Sequence, residues 1–81
     1  MNFDKYAVGS VLRRLRKENG LSQEVLSKLA GLPRSHLSMI ETGAKQANFE
    51  TLWRIANALD IPPNKLVKYI EDEIKNNQAK V

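Results

Sequence analysis

The sequence predicts an all-α fold, a compact five-helix bundle forming one domain. Three observations lead there. Apolar residues recur at the i, i+3, i+4, i+7 spacing of amphipathic helices in one segment after another. Glycine and proline are few, and they punctuate those segments. The chain has 81 residues, enough for one small core. With no cysteine and a single histidine, His36, neither a disulfide framework nor a thiolate- or histidine-based metal site is expected. No cofactor is expected either. Helix packing alone must hold such a domain, which suits the reducing cytoplasm.

The first helix is predicted from about Lys5 to Asn19, with Asp4 as its cap. Val8, Val11, Leu12 and Leu15 form its buried stripe, and Gly20 breaks it. Steps of about 100° per residue put Arg13, Arg14 and Lys17 on the far side, facing water or phosphate, with Arg16 at the edge of the stripe.

The second helix opens at Ser22, whose hydroxyl can take up an orphan amide of the first turn, and Glu24 sits near the positive end of its dipole. Leu26, Leu29 and Ala30 mark its inner side. Gly31 ends it in the left-handed conformation that glycine adopts without steric cost. Pro33 then presets φ for a third helix. Pro33, Leu37 and Ile40 point inward there, Glu41 sits at the margin, and Gly43 is the stop. Arg34, Ser35, Ser38 and Thr42 point outward, flanked by Met39 on one side and His36 on the other.

Asn48 is predicted to cap a fourth helix of about twelve residues, packed behind the first three through Phe49, Leu52, Ile55, Ala56 and Leu59. Trp53 lies beside that stripe, as core edge or interface. Asp60, Ile61, Pro62 and Pro63 end the helix, because a double proline cannot continue it. A last helix over about 64–75 carries Leu66, Val67, Ile70 and Ile74 on one side and Lys68, Glu71, Asp72 and Lys75 on the other. The domain is thus expected over 1–76, with 77–81 a polar tail that frays.

Two short helices joined by a turn of about three residues, Gly31–Pro33, form a helix-turn-helix, whose second helix enters the DNA major groove. The charge distribution agrees. Residues 1–45 carry eight Lys/Arg against four acids, whereas residues 46–81 carry five of each. The whole excess of +4 lies in the half that contains the motif. A basic surface is what a polyanion requires; a solvated face that keeps a small protein soluble would look the same.

The run Gly20, Leu21, Ser22 and Gln23 with Leu26, Ala30 and Gly31, followed by Leu37, Ser38, Ile40, Glu41 and Gly43, resembles the Xre family of phage-repressor and Cro type. A weaker continuation is Leu52, Ile55, Ala56, Ala58 and Leu59. The resemblance covers about Val8 to Leu66, and Pro33 departs from it, since the family often has a serine, threonine or asparagine cap there. It implies the phage-repressor-like bundle, with the motif at helices two and three. It also implies an Arg16–Glu41 ion pair that holds the corner, arginine's planar fork suiting a carboxylate. Gln23 is implied as a phosphate contact that can also buttress the third helix; a helix N-terminus favours an anion at that place.

On the outward face Arg34 is the main candidate for base reading, as a bidentate donor to guanine, with a phosphate contact as its alternative. Ser35 and Ser38 read bases or simply permit close approach. Met39 touches a thymine methyl or fills core. His36 packs or contacts phosphate. Arg13, Lys17, Thr42, Lys45 and Gln46 complete the expected phosphate contacts, which set register without carrying sequence information.

Double-stranded DNA is therefore the expected partner, read as a palindromic operator by a homodimeric transcriptional regulator, a repressor, whose dimer contacts come from Leu66, Ile70 and Ile74. The alternative is a protein-interaction module, such as an antitoxin, acting mainly through another protein. No apolar run approaches the roughly 20 residues of a membrane span, and no apolar segment follows the start as in a signal peptide. An enzyme is not expected: no nucleophile–base pair, metal cluster or phosphate loop is legible.

Overall fold

Three of the five helices begin at a side chain that takes up an orphan amide. The computed structural model describes residues 1–79. Helix α1 (Lys5–Glu18) starts where the Asp4 carboxylate accepts from the Tyr6 amide at 2.9 Å. Helix α2 (Gln23–Ala30) starts where the Ser22 hydroxyl accepts from the Val25 amide at 3.1 Å. Helix α4 (Phe49–Ala58) starts where the Asn48 side chain accepts from the Thr51 amide at 2.8 Å. Helix α5 (Pro63–Ala79) uses Pro63 as its first residue, where a missing N–H costs nothing.

Helix α3 (Arg34–Thr42) is the exception. Pro33 takes the cap position itself, with ψ 142°, and offers no side-chain bond. Its carbonyl accepts from His36 and Leu37. The proline thus stands outside the helix and is exposed, not on the inward face expected for it.

Helix α1 packs on α3 along one flank and on α5 along another, α2 lies against α3 and α4, and α4 closes on α5. Val11, Leu12, Leu26, Leu37 and Ile55 are wholly inaccessible at the centre. The close approach of α1 and α3 has a specific cause. Gly9, in the middle of α1, faces the carbonyls of Ile40 and Glu41 so tightly that a Cβ would collide with both. Gly43 does the same for Tyr6: it ends α3 at φ 80°, and a Cβ there would strike the tyrosine ring.

Three apolar side chains depart from their expected places. Leu29 on α2, Phe49 on α4 and Val67 on α5 are all exposed. Trp53 on α4, expected as core edge or interface, is exposed as an interface residue would be. On α2 the buried arc runs through Leu26, Ser27 and Ala30, with the Ser27 hydroxyl donating to the Glu24 carbonyl at 2.9 Å. On α4 it runs through Thr51, Ile55 and Ala56. In both helices a small hydroxyl residue turns inward and a larger apolar one turns out.

Helix α5 also runs further than expected. It passes the predicted end near residue 75 and the domain boundary at 76, and continues to Ala79. Nothing in Asn76, Asn77 and Gln78 breaks a helix, since none is glycine or proline. The expected tail at 80–81 lies outside the described residues. Leu66, Ile70 and Ile74, expected at a dimer contact, are buried in the chain's own core. The α5 stripe is consumed by packing on α1 and α4.

Candidate nucleic-acid interface

The orientation of α3 is set by a buried polar knot. Arg16, on α1, donates from Nε to Glu41 Oε2 at 2.7 Å and from Nη2 to Oε1 at 3.0 Å. Its remaining Nη1 donates to the Leu21 carbonyl at 2.8 Å, in the α1–α2 connection. Gln23, at the start of α2, donates from Nε2 to Glu41 Oε1 at 3.0 Å. One carboxylate of α3 is thereby tied to α1 and α2 together. Both charged residues are buried, each about 8% accessible, and among the described residues no buried side-chain nitrogen or oxygen is left without a partner.

The bond to Glu41 raises the Arg16 guanidinium above its already high ordinary pKa, outweighing the opposing effect of burial. A cation whose pKa is raised on folding contributes below its unfolded pKa and loses that contribution only as pH climbs through the folded value. The Arg16 charge therefore stays in place until strongly alkaline pH.

This knot leaves the other side of α3 free. Arg34, Ser35 and Thr42 are exposed, Met39 is 41% accessible, and His36 and Ser38 are half-buried. Met39 is thus not core filler. The Thr42 hydroxyl donates to the Met39 carbonyl at 3.2 Å, which steadies its rotamer. Beyond Gly43 the chain turns back, and the Lys45 amide donates to the Met39 carbonyl at 3.1 Å, so Lys45 and Gln46 emerge beside the last turn of α3. Both are exposed, as are Arg13 and Lys17 on α1. Arg14, on the same helix, is instead engaged with Glu73 of α5 at 3.3 Å.

Gln23 is half-buried, its amide nitrogen occupied by Glu41 while its oxygen makes no such bond. Sequence reasoning overlooked two contributors to this geometry. The Arg16 bond to the Leu21 carbonyl ties the connection before α2, and Gly9 lets α3 approach α1. A glycine inside a strong helical pattern costs about 1 kcal/mol against alanine, and that cost was the signal of a close approach.

An exposed short helix, locked from behind by its two neighbours and flanked by cations, defines the helix-turn-helix class of domain. A family model described as Helix-turn-helix matches residues 12–66, and the chain belongs to the helix-turn-helix family of transcriptional regulators. It is 38% identical over 60 residues to the uncharacterized HTH-type transcriptional regulator y4dJ of Sinorhizobium fredii, spanning 74% of this chain and 78% of that protein. Among solved structures it is similar to the restriction-modification controller protein C.AhdI from Aeromonas hydrophila, with 41% identity, coverage of 78% and 96% of the two chains and a TM-score of 0.75. It is also similar to the controller protein C.Esp1396I, solved as a tetramer in complex with its natural 35 base-pair operator, at 26% identity, 91% and 97% coverage and a TM-score of 0.82. The Xre-type resemblance and the all-α repressor-like fold both hold.

Proposed function

We propose that this chain is a sequence-specific double-stranded DNA-binding repressor of transcription, acting as a homodimer on a palindromic operator. The observation that carries this reading is the outward face of α3, with Arg34, Ser35, Ser38 and Met39 presented by a helix that the Arg16–Glu41–Gln23 knot holds still. Arg34 is the base reader, and Arg13, Lys17, Gln23, His36, Thr42, Lys45 and Gln46 meet phosphates on either side. The operator complex of C.Esp1396I supports the DNA partner. A relative named as an immunity repressor of Bacillus phage phi105, 38% identical over 72 residues, supports repression as the mode of action.

A helix of nine residues is about 13 Å long and reads only a few base pairs. Two copies related by a dyad reach half-sites roughly 34 Å apart, which multiplies the information read. Their contact is the exposed apolar face of α4 and α5. Phe49 and Trp53 stack with ring centroids 6.1 Å apart. Phe3, Leu52 and Val67 line a groove of about 290 Å³, floored by the buried Ile70 and Ile74.

A second copy of this chain is the occupant that fits. The half of the chain bearing this face is electrically neutral, so two copies meet there without net repulsion, whereas the basic halves would repel. Helix α5 packs on α1 and α4, whereas α3 packs on α1 and α2, so the proposed contact uses helices other than the recognition helix. Selection from a random pool of duplexes tests the reading. Enrichment of a two-fold symmetric site supports it; binding to every duplex alike, abolished by salt, would overturn it in favour of a protein-partner role.

A further inference from the structure

The C-terminal end of α3 carries an exposed aromatic residue that neither the core nor the base-reading face uses. Tyr6 is 63% accessible, and one side of its ring lies against Gly43. The Lys5 ammonium lies 5.5 Å from the centre of that ring. Helical geometry puts Tyr6 at the head of a stripe along α1 with Ser10, Arg13 and Lys17, spaced i, i+4, i+7 and i+11, and all four are exposed. No acid falls on that stripe. Asp4 stands two residues before Tyr6 at the cap, and its carboxylate is engaged with the Tyr6 amide.

Because Gly9 admits the backbone of α3 so closely and Tyr6 lies against Gly43, the head of this stripe sits at the end of the recognition helix, whose last residue Thr42 and the following Lys45 are exposed. We propose that the Tyr6 hydroxyl and the Lys5 ammonium contact the DNA phosphate backbone where it passes the C-terminal end of α3. Gly43 is the seat that aims the tyrosine. This assignment rests on the DNA-binding reading above. Its chemistry is that of a neutral hydroxyl and a cation toward a phosphate oxygen, which fix position on the duplex and carry no sequence information.

Two variants separate these roles without disturbing the fold. Tyr6→Phe keeps the ring on Gly43 and removes only the hydroxyl; Lys5→Gln removes the charge of the half-buried first residue of α1 and keeps a polar side chain there. Binding of both to the duplex preferred by the unaltered chain is measured across a salt series. Tyr6→Phe is expected to weaken binding about tenfold, the weight of one hydrogen bond to a charged group, with the salt slope, the preferred sequence and the melting temperature unchanged. Lys5→Gln is expected to lower the magnitude of the slope of log K against log salt by about 0.9. Wild-type affinity in Tyr6→Phe, or an unchanged slope in Lys5→Gln, would overturn the assignment while leaving the broader reading intact. Absence of DNA binding by the unaltered chain would remove both together.

Discussion

The α1–α3 half and the α4–α5 half of this molecule are built from the same material and present opposite surfaces. Both bury a stripe of aliphatic residues, and each contains one helix, α3 or α5, that starts at a proline without a side-chain cap. The first half turns Arg34, Ser35, Thr42 and cations outward around α3, leaves Val25 and Leu29 exposed on α2, and hides a charged pair inside. The second is electrically neutral, keeps its ion pairs at the surface, and turns Phe49, Trp53 and Val67 outward. The difference shows where each half spends its polar groups. A surface that must fit a groove needs a helix of fixed orientation and little bulk, so the directional bonds go behind it. A surface that meets another copy of itself needs apolar area, and its orientation follows from packing.

Charge placed on α5 breaks this comparison most severely. Ile70→Glu puts a carboxylate into the core and is expected to abolish cooperative folding, whereas Val67→Glu and Trp53→Glu are expected to keep a cooperative melt and to dissociate the proposed dimer. Sedimentation and thermal melts distinguish the two classes. Monomerisation by all three with melting intact would return the contact to the buried stripe.

Next in size is the knot behind α3. Glu41→Ala strands the Arg16 guanidinium and is expected to cost about 3–5 kcal/mol in urea unfolding. A loss no larger than that of an exposed ion pair would show that the corner is held by apolar packing alone.

Arg34→Ala sharpens the comparison from the DNA side. It is expected to lose about 1–3 kcal/mol of specific binding and to relax one operator position, with stability unaffected. A uniform loss across all sequences would make Arg34 a phosphate contact. The smallest effect belongs to the surface pair of Lys68 with Asp72, at 3.0 Å between exposed groups. The Asp72 carboxylate raises the Lys68 pKa by hydrogen bonding and charge. A raised pKa means that any stabilisation is present at neutral pH and lost only above the ordinary lysine range. Solvent screening leaves little of it, and Lys68→Ala is expected to shift neither the urea midpoint nor DNA binding.

The local chemistry of the helix ends was legible in the residues themselves. Asp4, Ser22, Asn48, Gly31 and Gly43 each act within a turn of their own position, so no distant contact can overrule them. The inward faces were legible only to within one flank. Periodicity ranks residues by hydropathy and angle, and it could not show that Ser27, its hydroxyl bonded to the Glu24 carbonyl, and Thr51 would turn in while Leu29 and Phe49 turned out. The destination of the α5 stripe was not legible at all. Leu66, Ile70 and Ile74 are equally suited to a partner helix and to α1 and α4 of the same chain, and the choice depends on three-dimensional packing. On the candidate interface, the position of Arg34 followed from its angle on the helix. The Gly43 seat for Tyr6 joins residues far apart in sequence and had no local signature.

The central claim is that one half of this domain reads DNA and the other half pairs it. Binding of Trp53→Glu to a single half-site and to the complete palindrome tests that division most directly. The expected result is a monomer that binds the half-site as tightly as one subunit of the unaltered chain and loses the added affinity of the palindrome. Loss of half-site binding along with the dimer would contradict the account, because the two faces would then be one functional surface.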